Sequence, residues 1–190
     1  MNSLTLLAIA VVVVVFWIYS IYASVIRKRN KAQEAFSSID VQLKKRYDLI
    51  PNILTIAQKY MEHERGIMEE VTKLRTQVMG LSSNFENIDR KIALDGEIAK
   101  KMGQIMVAVE NYPQLKADQT MITAMQTYNE VEEHIAAARR FYNSAANELK
   151  NAVEIFPSSL FARMLNIKTV DFIKATEQER QPIKASDFLK

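Results

Sequence analysis

From Leu4 to Ile26 the chain carries no charged side chain. The stretch is apolar almost throughout: Leu6-Leu7-Ala8-Ile9-Ala10, five valines from Val11 to Val15, then Phe16, Trp17 and Ile18. As an α-helix its length is roughly 35 Å at 1.5 Å per residue. That crosses a hydrocarbon layer of about 30 Å with some tilt. Valine and isoleucine are mediocre helix formers in water, but in lipid the backbone has no other hydrogen-bond partner, so a helix is imposed. A cleaved signal peptide fits poorly: no basic residue precedes the run, the run is too long, and no A-x-A site follows. A transmembrane anchor over 4–26, after a flank of residues 1–3, is expected.

The flanks differ in charge. Met1-Asn2-Ser3 is uncharged, whereas Arg27, Lys28, Arg29 and Lys31 follow the run. The positive-inside rule places the N-terminus outside and the remainder in the cytoplasm. Trp17, Tyr19 and Tyr22 then fall toward the inner interface, where amphipathic rings prefer to sit. The four basic residues would also attract anionic headgroups, at about 1 kcal/mol each near the surface. Membrane lipid is thus the first expected partner.

The rest reads as all-α. Glycine and proline number four each in 190 residues, too few for the many tight turns of a sandwich or barrel. Helical spacing recurs in four stretches. Ala32, Phe36, Ile39, Leu43, Tyr47 and Ile50 share one stripe, which can start directly from the membrane helix because no glycine or proline intervenes. Pro51 is read as the start of a second helix, with Asp48-Leu49-Ile50 as a joint; a kinked continuous helix is the alternative. Leu54, Ala57, Met61, Met68, Val71, Leu74, Val78 and Leu81 form the second stripe, broken by Gly80, Ser82, Ser83 and Asn84. Ile88, Ile92, Ala99, Met102, Ile105, Met106 and Val109 form the third; Gly96 and Gly103 within it could mark close helix contacts. The fourth runs from about Asp118 to Phe156, with Met121, Met125, Tyr128, Ile135, Ala138, Tyr142, Ala145, Leu149, Val153 and Phe156 inward, and Pro157 closes it. Short connections favour an antiparallel up-and-down bundle of about four helices over 27–157. The tail, 158–190, is expected to be a short helix near Ser158 to Leu165, then irregular chain. Phe161, Met164, Leu165, Ile167, Val170 and Phe172 are apolar enough to dock on the bundle. Thr176 to Arg180 is polar, and Gln181-Pro182 suggests an extended end.

Composition and motif nominate no reaction. Net charge is +3, from 25 basic and 22 acidic residues, without the concentrated basic face of a nucleic-acid binder. No cysteine is present, which removes disulfides, thiolate chemistry and palmitoylation. His63 and His134 lack the companions a zinc protease helix needs. Tyr60 and Val131 stand where a di-iron bundle would place glutamate. No phosphate-binding or nucleotide-binding glycine motif occurs, and nothing singles out a nucleophilic serine. No catalytic residue, cofactor or metal is expected, and no enzyme.

Two polar clusters stand out. Asp40, Gln42, Lys44, Lys45, Arg46, Asp48 and Asn52 surround Ile39, Leu43, Leu49 and Ile50. The plain reading is a solvated, salt-bridged face, since Asp40–Lys44 and Lys44–Asp48 are i, i+4 pairs. The sharper one is a contact surface for another protein near the membrane. Glu132, Glu133, His134, Arg139, Arg140, Tyr142 and Asn143 form the second cluster, read as alternating charge on an exposed face.

The run Ile39-Asp40-Val41-Gln42-Leu43-Lys44-Lys45-Arg46-Tyr47-Asp48-Leu49-Ile50-Pro51-Asn52 closely resembles the signature of the LemA family. Tyr112-Pro113-Gln114-Leu115-Lys116-Ala117, Ile135-Ala136-Ala137-Ala138-Arg139-Arg140-Phe141-Tyr142-Asn143 and Phe156-Pro157 agree in order and spacing. The resemblance spans nearly the whole chain and is looser around Asn84 to Asp95 and after Ile167. It implies a bacterial single-anchor membrane protein with a helical bundle and no established catalytic residues to carry over. A relative's part in magnetosome membrane formation points to membrane organisation. The expected role is therefore a non-enzymatic scaffold or interaction protein of the inner (cytoplasmic) membrane, open to self-association, with a membrane protein as partner. The alternative is a sensor or regulatory adaptor for a partner membrane enzyme such as a protease.

Overall fold

The computed structural model describes residues 2–82 and 87–173. Among them every regular element is helical: α1 Ser3–Ala57, α2 Arg65–Met79, α3 Ile88–Val109, α4 Pro113–Lys116, α5 Gln119–Glu154 and α6 Ser158–Met164. The expected polar stretch at Thr176 to Arg180 and the Gln181-Pro182 end lie outside the described residues.

α1 is one helix of 55 residues with two surfaces in succession. From Leu4 to Tyr19 every large apolar side chain is exposed, between 42% and 77%. From Val25 onward the same helix has a buried stripe: Val25, Ala32, Ala35, Phe36, Ile39, Leu43, Tyr47, Ile50, Ile53, Leu54 and Ala57. The stripe begins inside the uncharged segment, before Arg27. The expectation that the first core helix grows directly from the membrane helix is met.

The helices fall into two compact units. One comprises the chain up to Arg46 with Tyr128–Phe172; the other comprises Tyr47–Thr127 with Ile173. In the first unit α1 and α5 run antiparallel. Lys31 Nζ meets Glu148 Oε1 at 2.8 Å, and fifteen residues further along α1 Arg46 meets Glu132. α5 buries Tyr128, Val131, Ile135, Ala138, Tyr142, Ala145, Ala146, Leu149 and Ala152 at three- and four-residue spacing. It stops before the cis Phe156–Pro157 peptide. α6 follows and ends in a Schellman motif. Asn166 takes φ of 50°, its N–H donates to the Arg163 carbonyl at 3.1 Å, and the Ile167 N–H donates to the Ala162 carbonyl at 2.9 Å. Asparagine tolerates this left-handed position better than most residues. The chain then runs beside α5, where Tyr142 OH donates to the Asp171 carbonyl at 3.1 Å and Lys150 Nζ lies 5.8 Å from the Phe172 ring centroid. Docking of this tail is partial. Ile167 is buried, but Met164 is 73% exposed, and Phe156, expected on the inner side of α5, is 78% exposed.

In the second unit the last turns of α1 and α2 form an antiparallel pair, and α3 folds back on α2. Lys101 on α3 pairs with Glu70 on α2. α3 buries Ile88, Lys91, Asp95, Ile98, Met102, Ile105 and Val109, a strict alternation of threes and fours. The stripe is displaced from the expected one: Ile92 and Ala99 are only half-buried, and two charged residues take inward places. Gly103 marks no close approach, since nothing lies within 4 Å of where its Cβ would be.

Pro51 does not start a new helix; it sits inside α1. A proline at this position deprives the carbonyl four residues earlier, that of Tyr47, of its helical donor. Arg75 supplies the missing bond: its Nε donates to the Tyr47 carbonyl at 2.7 Å, while its Nη2 lies 3.9 Å from Asp48 Oδ1. The chain turns later than expected, over Gln58 to Glu64, which divides the second apolar stripe between α1 and α2. No proline or glycine marks that turn. Side chains hold it: Met61 is fully buried, Tyr60 OH donates to Asp118 Oδ2 at 3.4 Å, and Tyr112 OH donates to Glu64 Oε2 at 2.9 Å.

Candidate functional site: a buried arginine on the helix that leaves the membrane

Arg46 lies on the apolar stripe of α1, three residues after Leu43 and four before Ile50, and only 1% of its surface is exposed. An arginine so buried needs its charge and donors satisfied, or it costs several kcal/mol. α5 meets that need with Tyr128 and Glu132, one helical turn apart and so on one face. Arg46 Nε donates to Tyr128 OH at 2.9 Å, and its Cζ lies 5.0 Å from the Tyr128 ring centroid. Its Nη2 forms an ion pair with the Glu132 carboxylate. The Glu132 side chain is 44% exposed, so the pair reaches from the core to the surface. Chemically this arrangement fixes α1 against α5 through a charge that tolerates few alternative registers.

The seven residues expected to form one contact surface do not share a face. Arg46 points inward, Asp40 and Gln42 are half-buried, and Lys44 and Lys45 are exposed. Asp48 and Asn52 belong to the other unit, where Asp48 stands beside Arg75 and Asn52 is exposed. The basic flank stays toward solvent: Arg27 and Arg29 are exposed, Lys28 is half-buried, and Lys31 pairs with Glu148 and lies 5.9 Å from the Phe141 ring centroid. The second cluster divides likewise. Glu133, His134 and Arg140 are exposed, while Arg139 and Tyr142 are buried. His63 is exposed as well. Among the described residues no three histidine, aspartate or glutamate side chains are grouped to hold a metal ion.

Sequence reading misses the Arg46–Tyr128–Glu132 and Arg75–Tyr47 contacts, which join residues far apart in the chain. One signal is present. Arg46 falls in register with Leu43 and Ile50, so the helical period alone places it inward.

In the second unit Asp118 caps α5. Its Oδ1 accepts from the Thr120 and Met121 N–H groups at 2.8 and 3.2 Å. The Met121 N–H above all, with help from Thr120 and Tyr60, holds the Asp118 carboxyl below its ordinary pKa despite some burial. The hydrogen bond to Glu64 pushes the Tyr112 hydroxyl above its ordinary value. Both are bonds that fix helix ends, the N-terminal cap being the usual use of aspartate.

Fold and site together define a membrane-associated helical-bundle protein with, among the described residues, one apolar helix long enough to span a bilayer. The chain belongs to the LemA family, whose profile matches residues 35–186. It is 24% identical over 164 residues to the protein LemA of Metamycoplasma hominis, covering 85% of this chain and 73% of that one. It is also 21% identical over 203 aligned positions to the magnetosome protein MamQ 2 of Paramagnetospirillum magneticum and to the magnetosome protein MamQ of Magnetospirillum gryphiswaldense, covering 94% of this chain and 75% of each relative.

Proposed function

We propose that the protein is a non-enzymatic scaffold of the bacterial inner membrane, with its N-terminus outside and its bundle in the cytoplasm. The observation that carries this reading is the unbroken α1. The helix exposed as an anchor is also the first core helix, so the unit around Arg46 is fused to the anchor with no linker. A domain fixed in this way presents its outer residues at a constant height above the lipid, which suits lateral contacts. Parallel anchoring also raises effective concentration in the membrane plane. The basic residues Arg27, Lys28, Arg29 and Lys31 support the orientation. Relatives named as magnetosome proteins support a role in membrane organisation. Expected partners are lipid, a membrane protein, and a second copy of the chain. The exposed Lys44 and Lys45, with the half-buried Asp40 and Gln42, precede Arg46 on α1 and are the proposed contact residues.

The absence of cysteine makes the test clean. Single cysteines replacing Asn2 and Lys45 are probed in intact cells with a membrane-impermeant thiol reagent. Labelling is expected only at position 2; labelling at position 45 from outside reverses the orientation. Crosslinking in intact membranes is expected to trap neighbours, and Lys44→Glu with Lys45→Glu is expected to change which ones. A chain that yields monomer alone is no scaffold.

A further inference from the structure

The first unit leaves an apolar surface that its own packing does not use. Ile155, Phe156, Leu160 and Met164 are 58%, 78%, 64% and 73% exposed around the turn between α5 and α6. Leu160 and Met164 are i, i+4 neighbours on the outer face of α6, whose Ala162 is fully buried. Side chains of this size seldom gather on a surface that meets only water.

We infer that this turn is a second membrane contact, seated at the interface of the leaflet that α1 leaves, with its apolar side chains against acyl chains and anionic headgroups beside it. The register of α1 and α5 sets the level. Lys31 and Glu148 are in contact, and the helices run antiparallel. From Glu148 to Ile155 α5 advances about 10 Å. The same distance back from Lys31 along α1 reaches Ser24, inside the uncharged segment that ends at Ile26. Burial agrees independently. Val25 is fully buried and Ser20, Ile21, Ala23 and Ser24 are half-buried, so α1 is already covered by protein at the level of its lipid-compatible residues. An irregular turn cannot enter the hydrocarbon centre. An amphipathic element can settle at the headgroup boundary, to a depth of about 5–10 Å. The charges nearby fit: Arg27, Lys28 and Arg29 on α1 and Arg163 on α6 outnumber Glu154. The inference rests on α1 lying in lipid, and it holds in either orientation and whether or not the protein is a scaffold.

The test uses the full-length chain, with single cysteines at Phe156 or Leu160, each carrying a fluorescent thiol label. The protein is reconstituted in vesicles of phosphatidylethanolamine and phosphatidylglycerol, and quenching by lipids bearing nitroxides at shallow or deep positions is measured. Phe16→Cys reports the anchor; Val107→Cys, 70% exposed on α3 of the other unit, reports an apolar surface residue without this register. Labels at 156 and 160 are expected to be quenched several-fold more by the shallow nitroxide than the label at 107, and the label at 16 most by the deep one. Labels at 156 and 160 that match 107 and remain open to aqueous iodide overturn the inference. So do labels shielded from both lipid and iodide, which would show that protein, such as a second copy, covers the turn. If the label at 16 escapes the deep nitroxide, the anchor reading falls and this inference falls with it.

Discussion

The two halves of α1 both carry many apolar residues and do opposite things with them. Up to Tyr19 its valines, leucines and isoleucines point outward on all sides. From Val25 most apolar residues withdraw to one stripe, Val41 excepted, and a charged arginine joins it. The contrast is one of solvent. In lipid a helix gains nothing from hiding apolar side chains, and its backbone is already satisfied. In water it needs a partner for every apolar face, and a polar group enters only if bonded.

The largest way to break the contrast is to put the wrong chemistry in the lipid half. Val14→Lys with Val15→Lys places two ammonium groups near the middle of the span, at about 2.5–3.5 kcal/mol each. Alkaline carbonate extraction is expected to move the protein from pellet to supernatant, while helical circular dichroism is retained. The matching change in the water half is Arg46→Ala, which removes the group that Tyr128 and Glu132 bond. It is expected to lower unfolding stability by about 3 kcal/mol, the lower end for a broken buried pair because Glu132 is half-exposed. Membrane attachment should be unaffected, so the two substitutions separate the halves.

Arg75→Met sharpens the picture at Pro51, where it takes the side-chain donor from the Tyr47 carbonyl at a cost of about 1–3 kcal/mol. In a Pro51→Ala background residue 51 regains its own N–H, and the same change is expected to cost at least about 0.5 kcal/mol less. Strict additivity would show that Arg75 does not stand in for the missing bond. The smallest effect is expected at the Lys31–Glu148 pair. Lys31 and Glu148 are each 39% exposed, and Lys31→Met should cost under about 1 kcal/mol in denaturant unfolding, less in high salt.

Much of what depends on one helix's own period is legible in the sequence, though not the inward side of α3, where Lys91 and Asp95 are buried and Ile92 and Ala99 only half-buried. The bounds of α3 and α5, the stripe of α1 and the short α6 follow from residue spacing and from Pro157. Pro51 misleads because its rescue comes from Arg75 on another helix. The turn after Ala57 carries no local breaker; it depends on Tyr60 and Glu64 meeting Asp118 and Tyr112 and on the burial of Met61. Arg46 reads as one of several surface charges because charge is the strongest cue in a polar run. Its inward direction is encoded in its distance from Leu43 and Ile50.

The Arg75 bond to the Tyr47 carbonyl means that helicity around Pro51 is not a property of that segment alone. A synthetic peptide covering residues 40–57 would lack Arg75 and should fray at its centre, with weak amide protection on either side of the proline. Within the folded chain the same residues should exchange slowly. Loosening of α2 should therefore be felt first as a softening of α1 just beyond Arg46.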